Sequence, residues 1–508
     1  MKLKSCIAYL EDAAFNFPDR TAATDATGSV TFAQLRLRAL KIAAQIPGGF
    51  INNPIGVYLP KGIDCLASFM AVLYSGNFYI PLDVKAPFTR LEQIIQDLVP
   101  KVIITQDSYC KTLSNLGSGC IPELLAIDRL PNEIDGNEVD YLPKIRLVIY
   151  TDPIYCIYTS GSTGAQKGVV VSHQSVRDFI EWAQDTYELT ENSVIGNQSP
   201  FLFDVSTLDI YLCLKNKAHL HIIPEFLFAF PLKLMEYVEK SKITFIIWVP
   251  SVLVNVANAG ILAERKFPQL KQILFAGEVM PNKQLNHWRK HLPLAMYSNL
   301  YGPTEITVIA SYYIVDREFR DDEPLPIGVR CNNCDLIVLT SDGRQASENE
   351  LGELCVRGSS LALGYWNDAL KTSQAFVQNP LNTHYPERIY RTGDLVKYNE
   401  LGELLYAGRF DSQIKHMGYR IELGDIETAA GGIKQLANAC VLYDKKDSQI
   451  ALFYVAQDVT ADDADLRKLL LTRLPKYMVP TKFFSLDKLP LNSNGKIDKP
   501  TLEKKYLS

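Results

Sequence analysis

Glycines, hydroxyl side chains and a lysine are concentrated in one short stretch, "YTSGSTGAQKGV" at residues 158–169. Apolar runs on both sides, "IYCIYT" and "VVV", predict a strand–loop–strand unit. Glycine lets backbone N–H groups turn toward a ligand, while the hydroxyls and Lys167 add donors. The combination suits a polyphosphate; the alternative is a flexible surface turn. It is not a Walker loop, because Gln166 occupies a glycine position and no Ser or Thr follows Lys167.

Further polar segments follow this loop in order, namely "NLYGPTEIT" (299–307), "YRTGDL" (390–395), "GRFDSQIKHMGYRIELGDIE" (408–427) and "NGKID" (494–498). With "SGSTGAQKG" they resemble the ordered core motifs of the adenylate-forming superfamily, which includes amino-acid adenylation domains, acyl-CoA synthetases and luciferases. The resemblance covers essentially the whole chain, because five more segments match: "TFAQL" (31–35), "LYSGNFYIPLD" (73–83), "FDVS" (203–206), "GELCVRGSSLALGYW" (352–366) and "LPKYMVP" (474–480).

The elements that must position these motifs follow an α/β pattern. Buried strand-like runs alternate with amphipathic helical patterns over most of the first 400 residues, which predicts α/β layers. After about residue 325 the signals shorten into hairpins, and the last hundred residues read as a separate unit. The fold expected from the resemblance is a large N-terminal domain of α/β subdomains plus a β-barrel-like region, 1–410, followed by a small mobile α+β domain, 411–508, with Asp411 as the hinge.

The resemblance implies two half-reactions. A carboxylate attacks the α-phosphorus of ATP and releases pyrophosphate, and a thiol then attacks the acyl-AMP. Charge develops on the phosphate oxygens, so cationic groups, Mg²⁺ and hydrogen-bond donors are required there. The residues that would bind the β- and γ-phosphates are Thr159, Ser160, Gly161, Ser162, Thr163, Gly164 and Lys167.

The same resemblance assigns the rest of the nucleotide site. Thr304 would contact the α-phosphate and Glu305 would hold Mg²⁺, a hard cation suited to oxygen ligands. Asp394, with Arg409 beside it, would accept hydrogen bonds from the ribose. The adenine would lie between Tyr301 and Tyr406, with Asn299 at its amino edge.

Lys496, in "NGKID", resembles the mobile lysine that bridges the substrate carboxylate and the α-phosphate; alone it would be read as a solvated loop lysine. Rotation at Asp411 would remove it and admit the thiol. His416 and Met417 depart from the residues usual in the segment after the hinge, a difference that concerns the contacts of the thiolation state and not the adenylation site. Gln166 replaces a frequent proline of the phosphate loop, a change we expect to be tolerated.

Asp204, in "FDVS", favours an amino acid as the substrate. Amino-acid adenylation domains use this aspartate for the substrate α-ammonium, which acyl-CoA and aryl-acid ligases usually lack; the alternative is a helix-capping or turn aspartate. The resemblance predicts a side-chain pocket lined only by apolar residues: Val205, Leu208, Ile247, Leu274, Ala276, Leu300, Val308 and Ile309. A polar substrate side chain would be unpaired there, so a compact apolar amino acid is expected.

The ordered pocket set is similar to that of free-standing L-prolyl-AMP ligases, so L-proline is the expected substrate, although Val205, Ile247 and Ile309 depart from their commoner residues. Valine, isoleucine, leucine and alanine are alternatives. Neither a carrier nor a condensation motif is found, so the thiol would come from the phosphopantetheine of a separate carrier protein, unless the chain is an excised module of a larger one. Rival hypotheses are a CoA ligase for a small apolar acid, and a degenerate homologue that serves as a scaffold or nucleotide sensor.

Composition excludes several other classes. The chain has 508 residues, 21% of them charged, and a net charge of −5, which does not favour nucleic acid or an anionic membrane as a partner. The N-terminal apolar run is too short for a secretory signal, so a cytoplasmic location is expected. Ten irregularly spaced cysteines indicate reduced thiols. Cys331 and Cys334 lack a second ligand pair at the spacing of a zinc finger.

Overall fold

The computed structural model describes residues 3–116, 122–130, 141–160, 166–410, 413–457, 462–490 and 497–507. Their helices are α1 (Ala8–Asn16), α2 (Phe32–Gln45), α3 (Ile63–Tyr74), α4 (Phe88–Leu98), α5 (Asp107–Ser114), α6 (Tyr141–Leu147), α7 (His173–Tyr187), α8 (Val205–Asn216), α9 (Pro231–Lys240), α10 (Pro250–Asn258), α11 (Ile261–Glu264), α12 (Asn282–His291), α13 (Ala369–Ala375), α14 (Leu423–Gly431), α15 (Asp463–Leu471) and α16 (Lys499–Tyr506).

The strands of the same residues are β1 (Thr21–Asp25), β2 (Gly28–Thr31), β3 (Pro54–Val57), β4 (Phe78–Pro81), β5 (Val102–Thr105), β6 (Glu123–Ala126), β7 (Pro153–Thr159), β8 (Lys167–Ser172), β9 (Val194–Asn197), β10 (His219–Ile222), β11 (Phe245–Trp248), β12 (Gln272–Ala276), β13 (Met296–Tyr301), β14 (Ser311–Ile314), β15 (Val329–Arg330), β16 (Cys334–Leu339), β17 (Gly352–Gly358), β18 (Gly364–Tyr365), β19 (Phe376–Gln378), β20 (Arg388–Tyr398), β21 (Leu404–Arg409), β22 (Gln413–His416), β23 (Tyr419–Glu422), β24 (Leu436–Asp444), β25 (Gln449–Ala456) and β26 (Lys482–Ser485).

The described residues divide into two compact units. The first comprises Met1–Val84, Leu98–Ile157 and Gly168–Phe410, and the second comprises Lys85–Asp97, Tyr158–Lys167 and Asp411–Ser508. The sequence predicts a break at residue 411, but not that residues 85–97 and 158–167 group with the C-terminal residues. Their own signals are those of an ordinary helix and of the ends of two strands.

The first unit is built around two large sheets. A nine-stranded sheet has the order β15-β14-β13-β12-β11-β9-β10-β1-β2, and a seven-stranded sheet has the order β18-β8-β7-β4-β3-β5-β6. Strands β9 to β13 pair in parallel with one another, as do β3 to β6. Such strands read as continuous apolar runs because both faces are covered. The runs "NPIGVYLP", "PKVIIT", "ITFIIWVP" and "KQILFAG" therefore form strands, as predicted.

Two helices of the first unit are enclosed almost completely. Every residue of α3 except Asp64 is buried, and α8 is buried from Ser206 to Leu214. A helix that is apolar all round belongs in a core, and both contribute to the largest apolar cluster. By contrast α2 is amphipathic, and its first turn is closed by a capping box in which Thr31 Oγ1 accepts from the Gln34 amide and Gln34 Oε1 accepts from the Thr31 amide.

The segment after β15 forms the third sheet of the first unit. It is five-stranded and antiparallel, with the order β16-β17-β20-β19 and β21 paired to β20. This is the region expected to be barrel-like. Its hairpins agree with the short strand signals of the sequence, including the turn at Gly343, whose φ of +82° lies in the left-handed region that glycine tolerates.

The second unit contains the hairpin β22-β23 and the three-stranded sheet β24-β25-β26. The predicted pairing of "ANACVLYD" with "SQIALFYVA" is confirmed by antiparallel β24 and β25. The helix expected over "DADLRKLLLTRL" ends earlier than its apolar spacing suggests. Leu466 and Leu470 are buried within α15, but Leu474 lies beyond its end, because Pro475 disfavours a helical conformation at the preceding residue.

Candidate active site

The carboxyl ends of four neighbouring parallel strands, β9, β11, β12 and β13, meet at one edge of the nine-stranded sheet. In open α/β sheets ligands bind at this edge. Register then sorts the side chains by face, because successive residues of a strand alternate. Ile247 pairs with Leu274, and Ala276 pairs with Leu300, so these four share one face. Asn299 and Tyr301 alternate with Leu300 and lie on the opposite face.

The residues predicted to line the amino-acid pocket all lie in or against the largest apolar cluster. Seven of the eight predicted lining residues are buried members of that cluster, and the eighth is partly buried and packs against it. In that order they are Leu208, Ile247, Leu274, Ala276, Leu300, Val308 and Ile309, and then Val205. All eight residues thus belong to or pack against the apolar core of the first unit, although they are separated by up to about a hundred positions in the chain.

Val308 has a conformation that sequence reasoning did not predict. Its φ is +75°, and the Ile309 amide donates to the Thr307 carbonyl over 3.0 Å, so the residue is the centre of a γ-turn. A β-branched residue at positive φ is strained, and surrounding contacts must hold it there. Gly302 explains part of this: a Cβ at that position would lie 2.2 Å from the Val308 carbonyl oxygen, so only glycine allows the close approach.

Asp204 immediately precedes α8, and 9% of its surface is exposed. It occupies the N-cap position, but its side chain makes no capping hydrogen bond, which disfavours the helix-capping alternative. The charge of Asp204 acts on the buried hydroxyl of Tyr155 and adds to burial, the larger cause, in raising the pKa of that tyrosine well above its usual value. The carboxylate therefore lies next to Val205, the first of the predicted lining residues on α8.

A polar cluster lies on the other side of β13. Arg409 Nη1 lies 2.6 Å from Asp394 Oδ1, and the side chains are 11% and 4% exposed. The Tyr301 hydroxyl donates to the other carboxylate oxygen of Asp394. Burial, followed by the charge of Asp394, raises the pKa of Tyr301 well above its usual value, so the phenol keeps its proton and donates. Three predicted nucleotide residues are thus joined directly.

Two residues without a predicted role support this cluster. Thr392 Oγ1 accepts from the Asp394 amide over 3.0 Å and donates to the Leu354 carbonyl. Glu353 accepts from the Gly393 amide over 3.0 Å and from Arg391 Nε over 2.8 Å. Both residues lie inside recognised sequence motifs, "YRTGDL" and "GELCVRG". The motifs could have indicated Thr392 and Glu353, but the resemblance assigned neither residue a role.

The predicted adenine residues are arranged consistently with that assignment. Asn299 Nδ2 donates to the Pro326 carbonyl over 2.8 Å, so its amide oxygen is the end left to accept from a ligand amino group. Tyr406 packs partly buried against the same small apolar cluster to which Tyr301 belongs.

Glu305 is fully buried directly after Thr304, which is 8% exposed. The hydroxyl of Tyr365 donates to Glu305 Oε1 over 2.9 Å, and the Glu305 carbonyl accepts from the Ala362 amide over 2.9 Å. Tyr365 lies in "ALGYW", a recognised motif in which the residue had no assigned role. A carboxylate is a hard oxygen ligand, so Glu305 suits Mg²⁺ chemically.

The predicted phosphate loop belongs to the second unit and is described only at its ends. Thr159 Oγ1 is buried and has no hydrogen-bond partner among the described residues, which fits a hydroxyl meant for a ligand. Ser160 Oγ donates to the Arg420 carbonyl over 2.6 Å, and Lys167 begins β8. The predicted site residues Gly161, Ser162, Thr163, Gly164, Asp411 and Lys496 lie outside the described residues.

Most of the chain matches a known enzyme family and its C-terminal domain. Residues 10–366 match the AMP-binding enzyme family, and residues 425–496 match the AMP-binding enzyme C-terminal domain. The chain belongs to the AMP-binding enzyme family. It is an amino-acid adenylation domain of the adenylate-forming superfamily, and therefore an adenylate-forming ligase by class. The predicted fold class, a mixed α/β N-terminal domain with a smaller C-terminal domain, is also confirmed.

The chain is 32% identical over 494 residues to an L-proline–[L-prolyl-carrier protein] ligase of Streptomyces coelicolor, covering 92% of this chain and 91% of the relative. It is 30% identical over 498 residues to a D-alanine–D-alanyl carrier protein ligase of Bacillus licheniformis, covering 96% of each. The solved structure of the amide bond synthetase McbA from Marinactinospora thermotolerans matches with a TM-score of 0.84 at 20% identity over 99% of both chains, which shows the fold. Other relatives are longer, and the chain covers 45% of one and 19% of another.

Two remaining features concern the cysteine pair of "CNNC" and the search for helices that could span a membrane. Cys331 and Cys334 are buried at the start of β16, where the Cys334 thiol donates to the Ala310 carbonyl over 3.2 Å. Over the described ranges, none of the helices is long and apolar enough to cross a bilayer.

Proposed function

We propose that this adenylation domain activates an amino acid, with L-proline as the first choice, and transfers it to the phosphopantetheine thiol of a separate carrier protein in secondary metabolite biosynthesis. The observation that carries the proposal is the carboxylate of Asp204, which directly precedes α8 and the predicted lining residues Val205 and Leu208. An α-ammonium group supplies a cation for such a carboxylate, whereas a simple carboxylic acid supplies none. The CoA-ligase alternative is disfavoured for this reason.

In the first half-reaction a carboxylate oxygen of the amino acid attacks the α-phosphorus of ATP. The bond between the α-phosphorus and the oxygen that bridges the α- and β-phosphates breaks, and pyrophosphate leaves. Lys496 would bridge the attacking carboxylate and the α-phosphate, Thr304 would donate to that phosphate, and the loop of residues 159–167 would hold the leaving group. Asp394 would hold the ribose, oriented by its bonds to Arg409 and Tyr301.

Glu305 would hold Mg²⁺, which when bound offsets the negative charge of the phosphates. The donation from Tyr365 fixes one carboxylate oxygen of Glu305 in place, so the group meets a cation with little reorganisation. In the second half-reaction the thiol sulfur of the carrier attacks the acyl carbon, its proton is released, and AMP leaves. Rotation about Asp411 is proposed to separate the two steps.

The choice of proline rests on the size of the predicted lining residues and on the likeness to a named relative. Most of the lining residues are large, so the space left suits a compact ring or a short branched side chain. One relative is named for L-proline, but another of similar identity is named for D-alanine. An apolar pocket discriminates between substrates that differ by one methylene by only about 1–3 kcal/mol of transition-state binding. Alanine, valine, leucine and isoleucine are therefore the alternatives.

The test is ATP–pyrophosphate exchange with all twenty amino acids and D-alanine, with Lys496→Ala as the control. We expect strongest exchange with L-proline and a loss of about a hundredfold or more in the control. Strongest exchange with another small apolar amino acid would keep the reaction and refute proline. Exchange with no amino acid would refute an amino-acid substrate and favour the CoA-ligase hypothesis, whereas a control equal to wild type would favour the scaffold or sensor hypothesis. Aminoacylation of a holo carrier protein but not of coenzyme A would then support the proposed acceptor.

A further inference from the structure

A buried amide–carboxyl pair joins the end of β9 to α8. Asn197 Nδ2 donates to Asp209 Oδ2 over 2.7 Å, and both residues are completely buried. The same nitrogen donates to the Ser199 carbonyl over 3.2 Å. Because a carbonyl oxygen can only accept, this second bond determines the orientation of the amide. Asn197 therefore presents its nitrogen, and not its oxygen, to Ser199 and to Asp209 Oδ2.

Two acceptor oxygens of this pair are left over. Asn197 Oδ1 and Asp209 Oδ1 are both buried, and neither has a hydrogen-bond partner within the part of the chain that the structure describes. Two acceptors cannot satisfy one another, whereas a protonated carboxyl group supplies a donor. A single proton on Asp209 Oδ1 would satisfy both atoms, because the acid would donate to the amide oxygen while accepting from the amide nitrogen.

The charges around the pair are few. Burial, its largest cause, raises the pKa of Asp209 to about 7, against the opposing influence of Asn197 and of the Lys61 cation. Lys61 Nζ donates to the carbonyls of Asn197 and Gln198 over 3.3 and 2.9 Å. Cys213, one turn further along α8, is also ionisable, and its pKa is raised by burial and by Asp209. Among the described residues these are the ionisable groups that interact with Asp209.

The pair is placed where it can align the amino-acid pocket. Asp209 follows the lining residue Leu208 on α8, and Asp204 directly precedes this helix. Asn197 is the register partner of Ile247, a lining residue on β11. The pair thus joins the strand that carries Asn197 to the helix that carries Leu208.

We propose that Asp209 is a positioning residue, held protonated against Asn197, that sets α8 so that Asp204 and Leu208 meet the substrate amino acid. This role rests on the proposed function. As Asp209 loses its proton, the bond to Asn197 Oδ1 is lost and a charge is left in the core, so α8 should shift or loosen. The pocket should then bind the amino acid less well above neutral pH than below it.

The experiment compares wild type with Asp209→Asn and Asp209→Leu between pH 4.5 and 8.5, with Asp185→Asn on the exposed side of α7 as a control. Asparagine at position 209 forms the same two bonds without a titrating proton, whereas leucine forms neither. The readouts are the thermal unfolding midpoint and the KM for the amino acid in exchange. The KM and kcat are reported separately, because a positioning role should change KM first.

The sign of the stability effect follows from the raised pKa of Asp209. An unfolded aspartate ionises near pH 3.9, so between about pH 4 and pH 7 the unfolded state loses this proton before the folded state does. The thermal unfolding midpoint of wild type should therefore fall relative to that of Asp209→Asn over that range. Above pH 8 the two midpoints should change in parallel with pH. The KM of wild type should rise several-fold from pH 6 to pH 8.5, while that of Asp209→Asn stays flat and that of Asp209→Leu is high throughout.

Parallel curves for wild type and Asp209→Asn, in midpoint or in KM, would overturn the proposal. So would an Asp185→Asn protein that changed the profile as Asp209→Asn does. The unfolding curves do not depend on catalysis. They therefore test by themselves whether Asp209 is protonated against Asn197 in the folded protein. If they behave as expected but no amino acid is activated at any pH, the proposed function is refuted and the positioning role with it, while the protonated pair stands.

Discussion

The two faces of strand β13 carry side chains of different character, which we propose to recognise ligands by different physical means. On one face Leu300 lies with the apolar side chains of Ile247, Leu274 and Ala276. On the other face Tyr301 is bonded to Asp394 and lies beside Asn299, whose amide is already oriented. The polar face depends on directional bonds, each of which is costly to lose. The apolar face selects by volume alone, so it discriminates less sharply and is easier to alter.

The largest effect should come from the polar face. Arg409→Leu leaves the buried carboxylate of Asp394 without its cation, and breaking a buried pair in this way costs about 3–5 kcal/mol. We expect a lower free energy of unfolding in urea, a higher KM for ATP, and no change in the ranking of amino acids.

Arg320→Leu is the matched control for that variant. Arg320 pairs with Asp322 on the surface, where the side chains are 81% and 84% exposed, so both measurements should stay at wild-type values. Equal effects of the two substitutions would show that the Asp394–Arg409 pair has no special importance.

The apolar face should respond with altered selectivity. Ile247→Ala enlarges the pocket, so the ratio of kcat/KM for leucine to that for proline should rise by at least about tenfold, with the KM for ATP unchanged. Ile246→Ala removes the same atoms from the neighbouring residue, which is equally buried but belongs to the cluster on the other side of the sheet. It should destabilise the protein without changing the ratio. A similar shift in both variants would contradict the lining role of Ile247.

A smaller effect is expected at Glu305. Tyr365→Phe removes the hydroxyl that donates to its buried carboxylate, at a cost of about 1–3 kcal/mol. The half-saturating Mg²⁺ concentration in exchange should rise, by up to about tenfold. Tyr385→Phe provides the control, because that hydroxyl is on a side chain 59% exposed and contacts Glu387 at 3.4 Å. An unchanged Mg²⁺ dependence in Tyr365→Phe would count against a metal role for Glu305.

Features with a local signature could be predicted from the sequence. The enclosed helix α3, the amphipathic α7 and the parallel strands follow from apolar periodicity, and Asp204, Asp394 and Arg409 stand in recognisable motifs. Period-two alternation along β13 even determines which of its side chains share a face. These signals depend on neighbouring residues of the chain.

Features made by tertiary packing could not be predicted in this way. Tyr365 reaches Glu305 across 60 positions, and Asn197 reaches Asp209 from a different element. No local preference indicates positive φ at Val308, since β-branched residues disfavour it. A buried carboxylate such as Glu305 needs a hydrogen-bond partner, which could have prompted a search for one. That requirement would not have singled out Tyr365 among the other possible donors.

The most direct test of the central claim, that Asp204 pairs with the substrate α-ammonium, is a cycle of two enzymes and two substrates. Wild type and Asp204→Ala are compared in ATP–pyrophosphate exchange with L-proline and with cyclopentanecarboxylate, in which a methylene replaces the nitrogen. We predict that kcat/KM for L-proline falls by about a hundredfold or more in Asp204→Ala, while that for cyclopentanecarboxylate stays the same or rises. An equal loss with both substrates, or no loss with L-proline, would contradict the claim.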